Sequence, residues 1–159
     1  MAKGKKRKVD AGDVASNRQA SFRYELSDRL ECGMVLEGTE VKALREGGAQ
    51  IKDGYVNIDD GELWLQNVHI PPYAPAAREN HEPERPRKLL AHRREIERLM
   101  GRVAERGLTL VPTRIYFKDG RAKIEVAVGR GKDRFDKREG IKAREQRREV
   151  DRAIRDAQR

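Results

Sequence analysis

The chain has 159 residues, with 36 Lys and Arg against 27 Asp and Glu, and so a formal net charge of +9. This length suits one domain with tails, and no apolar run approaches the roughly 20 residues of a membrane span. The basic N-terminus has no apolar stretch behind it, so no secretory signal is predicted. A single cysteine, Cys32, excludes an internal disulfide, and we expect a reduced, cytoplasmic setting.

The positive charge is concentrated at the two ends of the chain. Residues 1–10 hold five basic side chains and one acid, and residues 130–159 hold twelve basic side chains and seven acids. The residues between them carry no net charge. Terminal positive charge is typical of arms that bind a polyanion.

Composition also divides the chain into three segments. Residues 1–16 are polar and basic, and they are predicted to be a disordered arm. Residues 17–130 contain most of the apolar residues and are predicted to form the core. Residues 131–159 form a basic tail with few large apolar side chains, which we expect to become helical on a binding partner.

In the first half of the core, apolar residues first recur at the spacing of a strand and then at the spacing of a helix. Apolar residues at every second position predict a strand over 22–26, and a second short strand over 32–36 is expected after a bend. A helix is predicted over 39–47, because Thr39 is a good N-cap and glycines follow the segment. Strands are expected over 51–58 and 62–70.

The second half begins with a long connection. Residues 71–88 carry five prolines and no regular period, which in a compact domain is often functional. Apolar residues at positions 96, 99, 100 and 103 predict a helix. Strands over 108–117 and 122–128, joined by a Lys-Asp-Gly turn, predict a hairpin.

About six short strands and two or three helices indicate a mainly β fold. A sheet of this size must close or cover its edges, and a small Greek-key barrel of the OB type does so. A sandwich like that of RNA-recognition motifs is the alternative, but no aromatic run supports it. With only one Trp, four Tyr and three Phe, we expect recognition of the shape and backbone of folded RNA.

The tail contains a stripe of arginines. These residues are spaced by three or four, which places them on one helical face: Arg144, Arg148, Arg152, Arg155 and Arg159. Such a helix is marginal alone in water, and phosphate would stabilise it through counterion release. A solvated helix without a partner is the other interpretation.

No pattern of catalytic or metal-binding residues is present. The three histidines are His69, His81 and His92, and the zinc-protease spacing that starts at His81 meets Arg85 where a second histidine is needed. No nucleophile elbow or dinucleotide fingerprint is complete. The sequence therefore predicts a protein that is not an enzyme, without cofactor or metal.

Several segments together are specific to one family. They include Gly38-Thr-Glu-Val-Lys42, Arg87-Lys-Leu-Leu90 and Asp136-Lys-Arg138. Over roughly residues 15–150 the chain closely resembles the SmpB family of SsrA-binding proteins. The resemblance implies an OB-type barrel with added helices, which agrees with the strand pattern.

The resemblance also implies a function in bacterial trans-translation. Members bind the tRNA-like domain of transfer-messenger RNA and deliver that RNA to stalled ribosomes, so that incomplete proteins are tagged. Their tail enters the decoding centre and mRNA channel of the small subunit. We therefore expect transfer-messenger RNA, the ribosome and elongation factor Tu as partners of a monomer that does not bind membranes.

The predicted site residues come from matching these motifs and from the charge pattern. The predicted RNA-binding residues are Asn17, Phe22, Tyr24, Glu31, Gly33, Lys42, Arg45, Arg87, Lys88, Leu90, His92 and Lys132. The predicted ribosome-binding residues of the tail are Asp136, Lys137, Arg138, Lys142, Arg144, Arg148 and Arg152.

Structural roles are the alternatives at some of these positions. Glu31 could be an edge-strand acid, Leu90 could pack in the barrel and Asn17 could cap local backbone. Two positions depart from the family pattern: Asp133 replaces a common lysine, and Phe22 replaces a common histidine.

Two other functions would fit a basic single-domain protein. A structural ribosomal or nucleoid protein with basic arms would be present on all ribosomes or on DNA. An RNA-processing enzyme would need a metal or nucleophile that the sequence does not display.

Overall fold

The computed structural model describes residues 12–105, 107–132 and 134–158, apart from the side chains of residues 134–136. Within these ranges there are seven strands, four α-helices and one 3₁₀ segment. In chain order they are β1 Asp13–Ser16, α1 Ala20–Arg23, β2 Tyr24–Met34, α2 Gly38–Glu46, β3 Tyr55–Asp59, β4 Glu62–Gln66, the 3₁₀ segment Ala74–Glu79, β5 Arg87–Leu90, α3 Arg93–Val103, β6 Leu108–Lys118, β7 Arg121–Gly131 and α4 Arg134–Ala157.

The strands form a closed barrel. They make one antiparallel sheet in the order β1-β6-β3-β4-β5-β2-β7, and β6 also pairs with β7. This last pairing closes a ring of six strands, β2 to β7. Strand β1 is outside this ring and pairs with β6 on the same edge as β3. Closure leaves no long open edge in the ring. The predicted OB-type barrel of about six strands with added helices is confirmed.

Alternating apolar residues fill the barrel. Leu63 and Leu65 of β4 point inward, as do Ile124, Val126 and Val128 of β7, and all five side chains are fully buried. Residues between them point outward, because successive strand residues face opposite sides. The outer face of the sheet is therefore available for polar and charged groups.

Strand β2 differs from its prediction. One strand runs from Tyr24 to Met34 where two were expected, and its register against β7 shifts between Ser27 and Leu30. Asp28 has a positive φ of 48° at this point. The irregularity is therefore a bulge that lies before Glu31 and Gly33, where the bend was expected. Phe22 lies before the strand, in α1.

Two further strands were not predicted. Asp13–Ser16 pairs with β6 as β1, so the prediction of disorder is wrong for these residues, while residues 1–11 lie outside the described part of the chain. Arg87–Leu90 forms β5 between β4 and β2, although it overlaps the proline-rich connection. Its last proline precedes the strand, so every ladder N–H of β5 is intact.

Two of the helices agree with the predicted core segments, whereas α1 and the 3₁₀ segment were not predicted. Gly38–Glu46 and Arg93–Val103 confirm the two core helices. In the tail, Arg134–Ala157 forms α4. Lys132, just before α4, holds the start of this helix against the core. The backbone N–H of Lys132 donates to the Arg23 carbonyl at 3.0 Å, and Nζ of Lys132 donates to the Ser21 carbonyl at 2.8 Å. That the helix forms only on the ribosome stays a prediction.

Candidate nucleic-acid interface

A row of four directly paired residues crosses the outer face of the barrel. Gly33 of β2 pairs with Leu90 of β5 and with Lys123 of β7, and Lys123 pairs with Tyr116 of β6. Directly paired residues present their side chains on the same face. Leu90 is 52% exposed, so it does not pack inside the barrel.

The missing side chain of Gly33 leaves a depression between Leu90 and Lys123, which we name the notch. A Cβ atom added to Gly33 would lie 3.3 Å from Cβ of Leu90 and would partly fill it. Two grooves meet here. One is lined by Glu31, His92 and other residues of β2, β5 and the start of α3. The other continues towards the β6–β7 turn and has more apolar walls.

Glu31 stands beside the notch and is held by two donors. The Tyr116 hydroxyl donates to Oε2 of Glu31, and Nζ of Lys118 lies 3.4 Å from Oε1. The hydrogen bond from Tyr116 lowers the pKa of the Glu31 carboxyl below its usual range, against the opposing effect of desolvation, and Lys118 adds to the lowering. Glu31 is therefore an ionised acceptor at neutral pH. We name Glu31, Tyr116 and Lys118 the outer-face network.

Glu125 continues this arrangement on β7. Its carboxylate accepts from Arg29 at 2.7 Å, from the Thr113 hydroxyl at 2.8 Å and from Nε of Arg114 at 3.3 Å. Burial raises the pKa of Glu125, but these hydrogen bonds outweigh burial and lower it overall. The Arg114 guanidinium also lies over the Tyr116 ring, 4.4 Å from its centroid. Charged groups thus order the outer face where β2, β6 and β7 lie side by side.

His92 and Lys88 flank Leu90. His92 is exposed at the start of α3, where its backbone N–H donates to the Glu95 carboxylate at 3.1 Å. Lys88 is half-buried on the same outer face and pairs with Glu62 at 2.9 Å. Glu31, Gly33, Leu90 and His92 are therefore brought together as a single surface, with Lys88 at its margin.

Arg87 requires a correction, because its side chain is fully buried. Its Nε donates to Glu40 at 2.5 Å, and its two terminal nitrogens donate to the carbonyls of Val68 and Pro83 at 2.7 and 2.8 Å. Glu40 is also fully buried and accepts from Arg85. A guanidinium enclosed in this way cannot reach phosphate. We name Glu40, Arg85 and Arg87 the buried cluster.

The buried cluster fixes the long connection to the barrel. Next to it, His81 is buried, and its Nε2–H donates to the Ile70 carbonyl at 3.0 Å. Its Nδ1 lies 2.9 Å from the Thr39 hydroxyl, and so accepts that proton. The N–H of Ile70 donates to the Pro83 carbonyl at 3.0 Å. These bonds join α2, the end of the connection and β5.

Asn17 is also corrected to a structural role. It is only 8% exposed, and its Nδ2 donates to the Pro112 carbonyl at 3.0 Å. Its backbone N–H donates to the Thr113 carbonyl at 2.7 Å. Asn17 therefore joins the segment after β1 to β6, so its role is structural, as in the alternative, but the bonds it donates are long-range and its side chain does not cap local backbone.

The other predicted core residues form two separate groups. On α2, Lys42 lies over the Tyr73 ring, and Arg45 lies over the Phe117 ring and donates to the Gly120 carbonyl at 3.1 Å. At the far end of β2 are Phe22, Tyr24 and Lys132, next to the base of α4. Tyr24 and Glu31 are seven residues apart on one strand, or roughly 20 Å.

The tail residues lie along α4. Arg138, Lys142, Arg144, Arg148 and Arg152 are exposed, and Lys137 is partly exposed. Arg144 also lies over the Phe22 ring, 5.2 Å from its centroid. The side chain of Asp136 and the whole of Asp133 lie outside the described residues.

Tyr116 and Lys123 were not among the residues predicted from the sequence. Lys123 could have been identified from the sequence of β7, where Lys123 and Glu125 alternate with Ile124 and Val126, which are buried. This alternation places both charged residues on the outer face. Tyr116 could not be found in this way, because its importance depends on pairing between strands.

The described residues form neither a candidate metal site nor a candidate membrane-spanning helix. No group of three or more His, Cys, Asp or Glu side chains that could hold a metal ion occurs among the residues described above. In the described part of the chain no helix is both long and apolar enough to cross a membrane.

The fold and the outer surface define an OB-type barrel protein of the nucleic-acid-binding class. The family model described as SmpB protein matches residues 14–156. The chain therefore belongs to the SmpB family.

Named relatives agree with this assignment. An SsrA-binding protein of Acidothermus cellulolyticus is 55% identical over 141 residues, which are 89% of each chain. An SsrA-binding protein of Desulforudis audaxviator is 54% identical over 142 residues, covering 89% of this chain and 93% of the relative. A chain from a solved structure described as "tmRNA-SmpB: a journey to the center of the bacterial ribosome" is 43% identical, with a TM-score of 0.65 over 80% of this chain and 93% of its own length.

Proposed function

We infer that this protein is an SsrA-binding protein that binds transfer-messenger RNA and acts with it on the ribosome in trans-translation. Family membership over residues 14–156 supports the activity. The observation that carries the RNA site is the notch between Leu90 and Lys123, with the ionised Glu31 beside it. It combines an exposed apolar side chain, a cation and an oriented acceptor. These groups suit ribose, phosphate and base or amino donors of folded RNA.

The finer parts of the proposal concern the two ends of the barrel. The notch and its neighbours Glu31, Leu90 and His92 hold the tRNA-like domain of the RNA. The basic face of α4 enters the decoding centre and mRNA channel of the small subunit, where its arginines meet phosphate. The protein acts as a cytoplasmic monomer, joins elongation factor Tu in the delivery complex and is an adaptor without catalytic activity.

Removal of residues 133–159 tests this division of labour. The truncation keeps Lys132 and its bonds to Ser21 and Arg23, so the barrel retains its end contact. We expect binding to the tRNA-like domain to change by less than about threefold, because the notch lies elsewhere, while peptide tagging in a reconstituted system is lost. Loss of RNA binding in the truncated protein would contradict the proposed separation.

Fractionation tests the proposal against a structural ribosomal or nucleoid protein. An adaptor enriches on ribosomes stalled on truncated mRNA and depends there on transfer-messenger RNA. Equal, stoichiometric presence on all ribosomes, or on DNA, would favour the structural function. Sequencing of copurified RNA provides an independent measurement, in which one dominant species with a tRNA-like end is expected.

A further inference from the structure

Tyr116 is the donor that fixes Glu31 in one orientation. The tyrosine side chain is only 9% exposed, and its hydroxyl donates to Oε2 of Glu31. Oε1 has the weaker contact, with Nζ of Lys118 at 3.4 Å. One carboxylate oxygen is therefore turned towards the sheet, and the other remains accessible from the groove.

The tyrosine ring is itself held in place. Arg114 lies over the ring at 4.4 Å and is bound in turn to Glu125 at 3.3 Å and to Asp13 at 3.1 Å. Because β1 carries Asp13 and β7 carries Glu125, elements on both sides of β6 fix Arg114. The position of the Tyr116 hydroxyl is thus set by the surrounding fold.

The strand register shows how far the Tyr116 side chain reaches to make this contact. Tyr116 is paired with Lys123, whereas Glu31 is paired with Glu125. The bond from Tyr116 to Glu31 therefore runs diagonally across β7. Reaching Glu31 across the intervening strand requires a long side chain, and the tyrosine phenol carries its donor at the far end.

We propose that Tyr116 is a positioning residue for RNA binding, whose hydroxyl orients the Glu31 carboxylate so that its other oxygen, Oε1, accepts from a base or ribose donor. The proposal rests on the proposed function, because it assigns a role within the same RNA site. Tyr116 is too buried to stack on a base, so it acts through Glu31. A fixed acceptor avoids the entropy cost of ordering a free glutamate on binding.

The contact with Tyr116 should also change how RNA binding depends on pH, because Glu31 is an acceptor only while it is ionised. Besides Tyr116, the charged or titratable groups facing Glu31 are Lys118 of β6, Lys123 and Glu125 of β7, and His92 and Glu95 at the start of α3. The acceptor is lost when the carboxyl is protonated, as the pH falls through its pKa. Since Tyr116 lowers that pKa, removal of the hydroxyl moves the loss to higher pH.

A double-mutant cycle tests the proposal in the full-length protein. Tyr116→Phe removes the hydroxyl and keeps the ring under Arg114. We expect it to weaken binding to the tRNA-like domain about five- to tenfold, because a hydrogen bond to a charged group is lost. In a Glu31→Ala protein the same change should weaken binding less than about twofold.

Tyr55→Phe is the matched control. It removes a hydroxyl from β3 that has no hydrogen bond within the described ranges, and should change binding less than about twofold. Melting temperatures measured in parallel establish that each variant is folded. Additive effects of Tyr116→Phe and Glu31→Ala would overturn the inference.

Carbon-13 NMR of the Glu31 carboxyl gives a readout that simple loss of packing would not move. We expect the titration midpoint of Glu31 to rise in Tyr116→Phe and to stay unchanged in Tyr55→Phe. An unchanged midpoint in Tyr116→Phe would overturn the inference. Should Tyr116→Phe not fold, the hydroxyl proton of wild-type Tyr116 supplies the measurement: a slowly exchanging proton near Glu31 supports the bond, and rapid exchange with water contradicts it.

The outcomes also separate this inference from the proposed function. A wild-type protein that did not bind the tRNA-like domain would refute both. Wild-type binding combined with full-strength binding by Glu31→Ala would overturn the inference and the Glu31 assignment, but not the function.

Discussion

The buried cluster and the outer-face network show two uses of a glutamate on the same barrel. Glu40 is fully buried, and arginines bind both of its oxygens. Glu31 is 40% exposed, and its carboxylate contacts Tyr116 and Lys118. Burial determines the difference: an enclosed ion pair stabilises a local arrangement only while both partners remain, whereas an exposed carboxylate stays available to a ligand.

Adjacent residues of β5 show the same contrast. Arg87 points into the barrel towards Glu40, and Lys88 points outward to Glu62. Both were predicted to bind RNA, because both are basic residues of the Arg87-Lys-Leu-Leu90 motif. The period-two alternation of a strand places one of them beyond the reach of RNA.

The largest effect is expected from breaking the buried cluster. Glu40→Ala leaves the Arg87 guanidinium buried without its carboxylate, which should lower the free energy of unfolding by about 3–5 kcal/mol. Urea denaturation measures this change. The matched control is Glu62→Ala, which breaks the Lys88 pair, where both side chains are more than a third exposed, and should cost less than about 1 kcal/mol. Equal losses in the two variants would show that burial does not distinguish the two glutamates.

The next effect concerns RNA binding by the outer-face network. Glu31→Ala should weaken binding to the tRNA-like domain about tenfold to a hundredfold, in line with the roughly 1.5–3 kcal/mol of a hydrogen bond to a charged group. The unfolding free energy should fall by only about 1 kcal/mol, because the Tyr116 hydroxyl loses its acceptor. Filter binding at fixed salt measures the affinity. Glu25→Ala, an exposed glutamate at the other end of β2, is the control and should bind like the wild type.

A smaller effect is expected on the pH dependence of stability when Glu125 is changed. The pKa of Glu125 is lowered overall, so its contribution to stability is complete above its unfolded value of about 4.3 and is lost as the pH falls through the folded value. Glu125→Gln should therefore flatten the dependence of stability on pH between about pH 5 and pH 3, and lower stability at pH 7 by about 1 kcal/mol. Urea denaturation at a series of pH values measures this. An unchanged slope would show that other carboxyls dominate acid unfolding.

The smallest effect is expected at the base of the tail. Phe22→Leu removes the ring under Arg144 and should destabilise that contact by about 0.5 kcal/mol. Amide hydrogen exchange should become faster around residue 144 and stay the same in the barrel. Phe22→Tyr, which keeps an aromatic face, is the control. Faster exchange throughout the barrel would mean that Phe22 supports the core instead.

The barrel could be predicted because its strands follow simple alternation and its turns carry clear signals. The hairpin of β6 and β7 and the two core helices lie where the sequence placed them. β5 was not predicted, because its first two residues belong to a proline-rich segment that is typical of a connection. β1 was missed because it is polar and short, and pairing with β6 holds it in place.

The candidate site was predictable in part. Family motifs pointed to Glu31, Leu90 and His92, which the fold brings to one surface. They also included Arg87 and Asn17, which are buried. Sequence could not separate these cases, because the burial of Arg87 depends on Glu40, which lies 47 residues away. Tyr116 could not be predicted for the same reason, because its hydrogen bond to Glu31 joins residues 85 positions apart in the sequence.

The length of α4 has a mechanical consequence. Its 24 residues span about 36 Å, and the described contacts of the tail with the core lie near its first half, at Lys132 and Arg144. A helix attached at one end acts as a lever. A change of about ten degrees in its exit direction would displace the far end by roughly 6 Å, about one turn of helix. Small adjustments at Ser21 and Arg23 would thus be amplified into large changes in where the arginine face reaches.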